Sequence, residues 1–404
     1  MKKKYWFYLE PYVYLEVKKD SFLLFNTLDK SSVEGCEYLL LKKMEEIKSP
    51  ENCGVVSLEY ENNSIISDFV NDVKEKYMGD IIPQDASDVK PIQPLSLPLI
   101  KENLETFNFF KESTDTDLVK YLSEVSIYLS NSCNFKCKYC DLLYTQMPCC
   151  TKQQGVQDLT KIIDFLNHLI DSNFSGIINL IVRDIKDIHA LSKYLHLFRQ
   201  CMYVFIHMKS IEEFSFNCID ISNDKFKVIV DYDSIKNDAN WLSLLKLNSL
   251  KNLIIAVRNV EEFDFFVNAF KEDDFKIQIR PFFTGENLSF FQKNVFLMKE
   301  DILCGVKNMQ NIHQNMILNS NFFGKIVVSS DGYVFSNVND KEPIGHITES
   351  IAKIVHSALF SKKSSWRKLR NFEMCRDCLY QYLCPPISNY EYVMGNKPLC
   401  FKNL

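Results

Sequence analysis

The sequence predicts an α/β protein: a partial (β/α)6 barrel, preceded by a small α+β unit and followed by a cysteine-rich domain. Three observations carry this. From residue 125 short apolar runs alternate with amphipathic runs of helical period, the pattern of a parallel sheet with helices outside. The first eighty residues follow a different order, strand, strand, helix, strand, helix. Nine of the fourteen cysteines fall into two groups, one just after the first strand of the repeating region and one at the chain's end. The divisions are 1–85 for the α+β unit, 86–120 for a linker, 121–300 for the barrel and 301–404 for the cysteine-rich domain.

In order along the chain, residues 5 to 29 read as two strands joined by a polar turn at "KKDS". "EYLLLKKMEEI" has apolar spacing suited to a short helix, and "CGVVSLEY" is strand-like. Ser64 is placed to cap a helix whose apolar stripe is Ile65, Phe69, Val70, Val73 and Tyr77. "IIPQDASDVKPIQPLSLPLI" holds four prolines and reads as the linker. Then come the strand "VSIYLSNS", the helix "LTKIIDFLNHLI", the strand "GIINLIV", the helix "IHALSKYLHLF" and the strand "CMYVFIHM". "FKVIVDY", "KNLIIAV" and "KIQIRPFF" continue the series with helical stretches between. Some six repeats suit an open barrel; a doubly wound sheet is the alternative. "GKIVVSSDGYVFSN" reads as a hairpin turning at Asp331-Gly332, and "IGHITESIAKIVHSALF" as a turn and a helix.

Bulk properties exclude several functions. A net charge of −5 argues against a nucleic-acid partner, whose footprint is basic. Glycine is scarce at 11 residues, and neither a P-loop nor a G-x-G-x-x-G is present, so phosphate-cradling loops are not expected. No segment approaches the ~20 uninterrupted apolar residues of a membrane span. The basic start is broken by Glu10, Pro11 and Glu16, unlike a signal peptide, which reads as a cytoplasmic protein without a membrane partner. In that compartment fourteen cysteines point to metal ligation more than to disulfides.

"NSCNFKCKYCDLLYTQMPCC" places Cys133, Cys137 and Cys140 in a C-x3-C-x2-C spacing, with Cys149 and Cys150 following as a pair. Three thiolates can hold a [4Fe–4S] cluster with one iron left open to another ligand. Cys149 or Cys150 could supply a fourth thiolate and close it, or both could be ordinary buried thiols. A zinc knot is the bland alternative, but zinc sites pair C-x2-C units with a distant second pair. At the C-terminus Cys375, Cys378, Cys384 and Cys400 stand as C-x2-C-x5-C-x15-C, which suits zinc or [4Fe–4S].

The C-x3-C-x2-C loop after a strand resembles the radical S-adenosylmethionine (SAM) enzymes. In that family the open iron chelates SAM, and an electron then cleaves SAM to a 5′-deoxyadenosyl radical. The resemblance implies that Tyr139, just before the third cysteine, lies against the adenine. It also implies a Gly-Gly-Glu-like stretch at the end of the second strand to bind the SAM amino group. Here Arg183 and Asp184 follow Val182 instead, leaving Asp184 as a substitute beside a bulky neighbour. The C-terminal segment resembles the SPASM extensions of peptide-modifying radical SAM enzymes, with cysteines for one auxiliary cluster and Asn337 where a full domain has a cysteine. Together, "KYWFYLEPYVYLE…FLLFNTLD", "FFGKIVVSSDGYVFSNVN" and "CLYQYLCPPISNYE…LC" resemble the pseudo-radical-SAM proteins that accompany a true radical SAM maturase of ribosomal peptides.

The resemblance implies an iron–sulfur protein of peptide maturation with impaired SAM chemistry, its partners a precursor leader peptide and a true maturase. The alternatives are an active radical SAM/SPASM peptide maturase and, more distantly, a zinc-stabilised structural protein. The N-terminal unit is similar to winged-helix leader-recognition domains, which take a peptide as an added strand; a plain structural cap is the alternative. Of the remaining residues, His189, His196 and His207 read as ordinary. "SKKSSWRKLR" with Trp366 reads as a solvated basic face or a docking surface, and Arg280 at a strand end as a salt-bridge partner or a substrate-facing residue.

Overall fold

The computed structural model describes residues 3–60, 64–84, 89–93, 118–129, 137–150, 158–183, 188, 191, 202–213, 222–236, 238, 240–271, 274–305 and 308–403. Cys133, Asp184, most of the proline-rich linker and most of the expected helix "IHALSKYLHLF" lie outside these residues.

The N-terminal unit is two small antiparallel sheets packed with two helices. β1 (Lys3–Leu9) runs between β5 (Val55–Tyr60) and β6 (Gly79–Pro83). β3 (Ser21–Asn26) runs between β2 (Val13–Lys18) and β4 (Ser32–Gly35). The first expected strand is therefore two. Pro11, which has no N–H to give a ladder, sits in a turn closed by Val13 N–H donating to the Glu10 carbonyl at 3.0 Å. The helices Tyr38–Lys48 and Ile65–Glu75 are separated by β5. Ser64 caps the second helix by accepting from Ser67 N–H. Phe69, Val70 and Val73 are buried as expected, but Ile65 is 64% exposed and Tyr77, past the helix end, 75% exposed. The apolar stripe is thus one turn shorter at each end than its spacing suggests.

The unit is not closed on itself. Tyr14, Leu23 and Phe25 on one face of the β2–β3–β4 sheet share a core with Ile302, Ile312, Leu379 and Leu383 of the C-terminal region. Lys18 Nζ donates to Gln381 Oε1 at 2.9 Å across this seam, and Lys30 Nζ to the Cys304 carbonyl at 2.9 Å.

The main sheet has nine strands. β7 (Glu124–Tyr128), β8 (Ile177–Val182), β9 (Met202–His207), β10 (Phe226–Asp231), β11 (Asn252–Val257) and β12 (Lys276–Pro281) lie side by side, all parallel. β13 (Lys325–Val328) adds parallel to β7, and β14 (Tyr333–Phe335) and β15 (Gly345–His346) extend it antiparallel. Sequential parallel strands that remain neighbours suit the expected open-barrel order, not a doubly wound one, where the strand order reverses. The hairpin expected in a separate C-terminal domain is instead continuous with this sheet. Gly332, with φ of +88°, makes its turn.

Side chains alternate between the two faces of each strand. Val125, Ile127, Leu180, Val204, Val228, Ile255 and their row-mates pack outward, with the helix Leu159–Asp171 among the elements covering them. Tyr128, Ile181, Phe205, Ile229 and Ile254 point inward to a second cluster. Burial on both faces explains why the strands read as near-continuous apolar runs. Trp366, expected on a solvated basic face, is fully buried with its Nε1 donating to the Lys325 carbonyl at 2.6 Å.

Candidate functional site

Of the first cysteine group, Cys137 and Cys140 lie at the C-terminal ends of β9 to β12, where β/α folds gather their chemistry. Cys140 opens the short helix Cys140–Gln146, and Gln146 ties that helix to the end of β12. Its amide donates to the Phe283 carbonyl at 2.8 Å and accepts from Phe283 N–H at 2.9 Å. Cys149 and Cys150 are buried in the inner apolar cluster, Cys140 is buried beside them and Cys137 is partly exposed. The Cys140 thiol lies 3.8 Å from the Cys150 carbonyl oxygen. Cys149 bonds to the Cys150 thiol, which eases its ionisation, but burial and the neighbouring Cys140, Asp231 and Cys137 outweigh this and push its pKa up. The late pair thus folds back onto the early cysteines.

Tyr139 stands at this mouth, but its ring is already engaged. Phe282 meets it edge-on at 5.7 Å, the Arg258 guanidinium lies 5.1 Å from its centroid and Lys138 Nζ 4.7 Å. Arg258 is anchored by Asp233 at 2.7 Å and by Glu262, to which its Nε donates at 2.8 Å. Burial works against the Arg258 charge, and the two carboxylates outweigh it, raising its pKa. Beside them His207 Nε2 lies 2.9 Å from Asp231 Oδ2, while its Nδ1 accepts from Lys209 N–H at 3.3 Å. That acceptor role places the ring proton on Nε2, facing the carboxylate. Burial opposes the Asp231 charge, but the His207 hydrogen bond prevails and lowers its pKa. The cleft among Cys137, Tyr139, Lys209, Asp231, Arg258 and Phe282 has a free volume of about 20 Å³, room for about one water.

The sequence reading anticipated Cys137, Cys140 and Tyr139 here and missed His207, Asp231, Asp233 and Arg258. Each of these ends or directly follows an apolar strand run, "YVFIH", "VIVDYD" and "LIIAVR", which is the signal that could have found them.

The second cysteine group lies by a different apolar cluster. Cys375, Cys378 and Cys384 are buried and Cys400 partly so, all beside the seam with the β2–β3–β4 sheet. Turns set the first three: Cys378 N–H donates to the Cys375 carbonyl at 3.1 Å, and Cys384 N–H to the Tyr380 carbonyl at 2.8 Å. Cys400 is held by a bridge to Leu297. Burial pushes Cys384 up to about 12; the Arg370 guanidinium pulls it down in part, and the other three thiols oppose its ionisation. Arg370 pairs with the buried carboxylate of Glu391 at 2.7 Å and donates to the Pro385 carbonyl. The four thiols are thus one neighbourhood. Among the described residues, however, no three His, Cys, Asp or Glu side chains stand in an arrangement that could hold a metal ion. The donor chemistry fits a thiolate-held metal, while the positions are not those of a formed coordination shell.

Arg280 forms no ion pair among the described residues, against the salt-bridge reading; its Nη2 donates to Gln278 Oε1 at 3.0 Å. Among the described residues no helix is long and apolar enough to cross a membrane.

No family model and no curated protein matches the chain. Among solved structures it is similar to a hexahistidine-tagged "anSMEcpe with bound AdoMet", with a TM-score of 0.41 and 15% identity over 68% of this chain and 93% of that one. A likeness of that size carries no part of the functional reading.

Proposed function

We propose that the chain is an iron–sulfur protein of radical-SAM type that serves the maturation of a ribosomally made precursor peptide, with SAM chemistry weak or absent. Cys133, Cys137 and Cys140 would hold one [4Fe–4S] centre, and Cys375, Cys378, Cys384 and Cys400 a second. Such a group supplies one-electron chemistry when bound, and an iron open to SAM supplies radical generation.

The observation that carries the impaired-SAM reading is the filled mouth. A ligand of SAM's size occupies several hundred Å³, and beside Tyr139 the free volume is about 20 Å³. Arg258 and Phe282 take the space along the Tyr139 ring, and Cys149 and Cys150 crowd Cys140 from behind. These side chains therefore hold the strand ends together and leave room there for about one water; among the described residues around Tyr139, none is placed to hold an adenosyl group. The active-maturase reading keeps one supporting feature, the placement of Cys137, Cys140 and Tyr139 at the strand ends.

The test is anaerobic reconstitution with iron and sulfide, followed by metal analysis and equilibrium dialysis against labelled SAM. Iron with acid-labile sulfide and no saturable SAM binding is the expected result. Stoichiometric zinc without iron would overturn the cluster assignment, and tight SAM binding would overturn the impaired-SAM assignment.

A further inference from the structure

The inner face of the sheet changes character along its length. Towards the strand ends it is apolar, with Ile181, Phe205, Ile229 and Ile254. Nearer the strand starts the inward positions of β7 to β10 carry Glu124, Ser126, Asn179 and Lys227, and the edge strand β12 carries Gln278 and, near its end, Arg280. The parallel registers set these in neighbouring rows: Ser126 is opposite Asn179, Asn179 opposite Tyr203, and Ile254 opposite Gln278. They line a cavity of about 340 Å³, capped by Asn321, Asn337 and Asn389 from the C-terminal region. A second cavity of about 330 Å³ shares Tyr203, Lys227, Ile254 and Gln278 with it and runs out towards the exposed edge strand β12.

The charges in this space are one-sided. Lys225, Lys227, Lys276, Arg280 and Lys325 line the two cavities against Glu124 and Asp224, in a chain whose net charge is −5. Glu124 is already satisfied within the protein, accepting from Asn179 Nδ2 at 2.7 Å and lying 3.5 Å from Lys325 Nζ. Lys227 and Arg280 have no carboxylate within ion-pair distance among the described residues. Lys227 instead lies over the Tyr203 ring at 3.9 Å and the Phe205 ring at 5.1 Å. Burial lowers its pKa, Glu124 pulls it back only in part, and Arg280 adds to the lowering. Two cations on one half-buried wall, neither in an ion pair, cost stability unless an anion joins them.

We propose that this inner face along β10 to β12 binds an acidic stretch of peptide, its carboxylates meeting Lys227 and Arg280. Charge complementarity selects the anion. The cations are spread over three strands and interleaved with Tyr203, Phe205 and side-chain amides, which suits carboxylates spaced along a chain more than one phosphate. No glycine-rich loop converges on the space. Among the described residues β12 has a strand partner on one side only, β11, so a peptide leaving the cavity can continue along that edge by main-chain bonds. The inference rests on the peptide-handling reading and names the substrate chemistry of that reading, but it requires neither metal centre.

The test uses the full-length protein and a fluorescein-labelled hexaglutamate peptide, followed by fluorescence anisotropy at low and at moderate salt. Hexaglutamate is expected to bind and weaken with salt, and hexalysine not to bind. The double variant K227Q/R280Q should weaken binding about tenfold or more. The charge-keeping variant K227R/R280K should retain binding, and a change at the exposed Lys353, K353Q, should have no effect. The absence of salt-dependent hexaglutamate binding, unchanged affinity in K227Q/R280Q, or displacement by inorganic phosphate at far lower concentration than by unlabelled hexaglutamate would each overturn the proposal. Iron content, measured on the same samples, tells its failure apart from failure of the iron–sulfur reading.

Discussion

The two cysteine groups sit in opposite kinds of environment. Cys137, Cys140, Cys149 and Cys150 lie at the strand ends, beside a cleft with room for about one water and a ring of paired charges. Cys375, Cys378, Cys384 and Cys400 lie where the N-terminal sheet meets the C-terminal region, in a shared apolar core with one buried ion pair beside them. The first lies at strand ends, where β/α folds gather their chemistry, and the cleft its described residues leave is narrow. The second is where a brace would be most effective, because it joins segments as far as 363 residues apart in sequence. Under the function proposed above, the first group keeps its place at the strand ends with little room for SAM, and the second acts as a brace.

The largest effect expected is at the brace. Changing Cys378 and Cys384 together to Ser should remove the C-terminal metal and lower stability by several kcal/mol, on the order of 5. Limited proteolysis should then release the N-terminal unit, since Tyr14, Leu23 and Phe25 pack on the same cluster. Unchanged iron and an unchanged unfolding midpoint would erase the contrast between the two groups.

Next is Arg370→Met, which leaves the Glu391 carboxylate buried and unpaired. The expected loss is about 3–5 kcal/mol in urea unfolding, with part recovered in the double variant that adds Glu391→Gln. A loss near zero would mean the pair does not hold this corner.

Cys149→Ala with Cys150→Ala sharpens the mouth side of the comparison. The fold should lose only about 1–2 kcal/mol, the cost of two small buried groups. Iron at the first site should fall while the C-terminal iron stays. If iron at the first site is untouched and SAM binding stays absent, the pair neither closes the cluster nor shuts the cleft.

The smallest effect is expected for Arg258→Ala. It removes the contact with Tyr139 and the pairs to the partly exposed Asp233 and the buried Glu262, which keeps the hydrogen bond from the backbone N–H of residue 258 at 2.9 Å, so a loss of about 1–2 kcal/mol is expected in thermal unfolding. SAM binding should stay absent, because Phe282 and the cysteine pair still fill the mouth. Strong SAM binding in this variant would identify Arg258 as the only obstacle.

Much of the scaffold was legible. The strands β7 to β12 were visible as apolar runs, and the Ser64 cap and the Asp331-Gly332 turn follow from local chemistry that tertiary packing does not override. Three things were not legible, for physical reasons. The split of the first strand depends on which sheet each half joins, a long-range choice that Pro11 permits but does not announce. Trp366 sits in a basic run whose burial is decided by the distant Lys325 carbonyl. The polar inner face hides within strands that read as uniformly buried, because Ser126, Asn179, Lys227 and Gln278 are single interruptions of apolar runs, and only the period of two places them together. The C-x3-C-x2-C spacing named the mouth, but the free space beside Tyr139 depends on Arg258 and Phe282 from other strands, so spacing alone could not show it to be filled.

The most direct measurement is 5′-deoxyadenosine formation by the anaerobically reconstituted protein with dithionite and SAM, on samples holding about four or more irons per chain. The account predicts iron present and no 5′-deoxyadenosine above the protein-free control. Catalytic formation of 5′-deoxyadenosine would contradict it and restore the active radical SAM maturase.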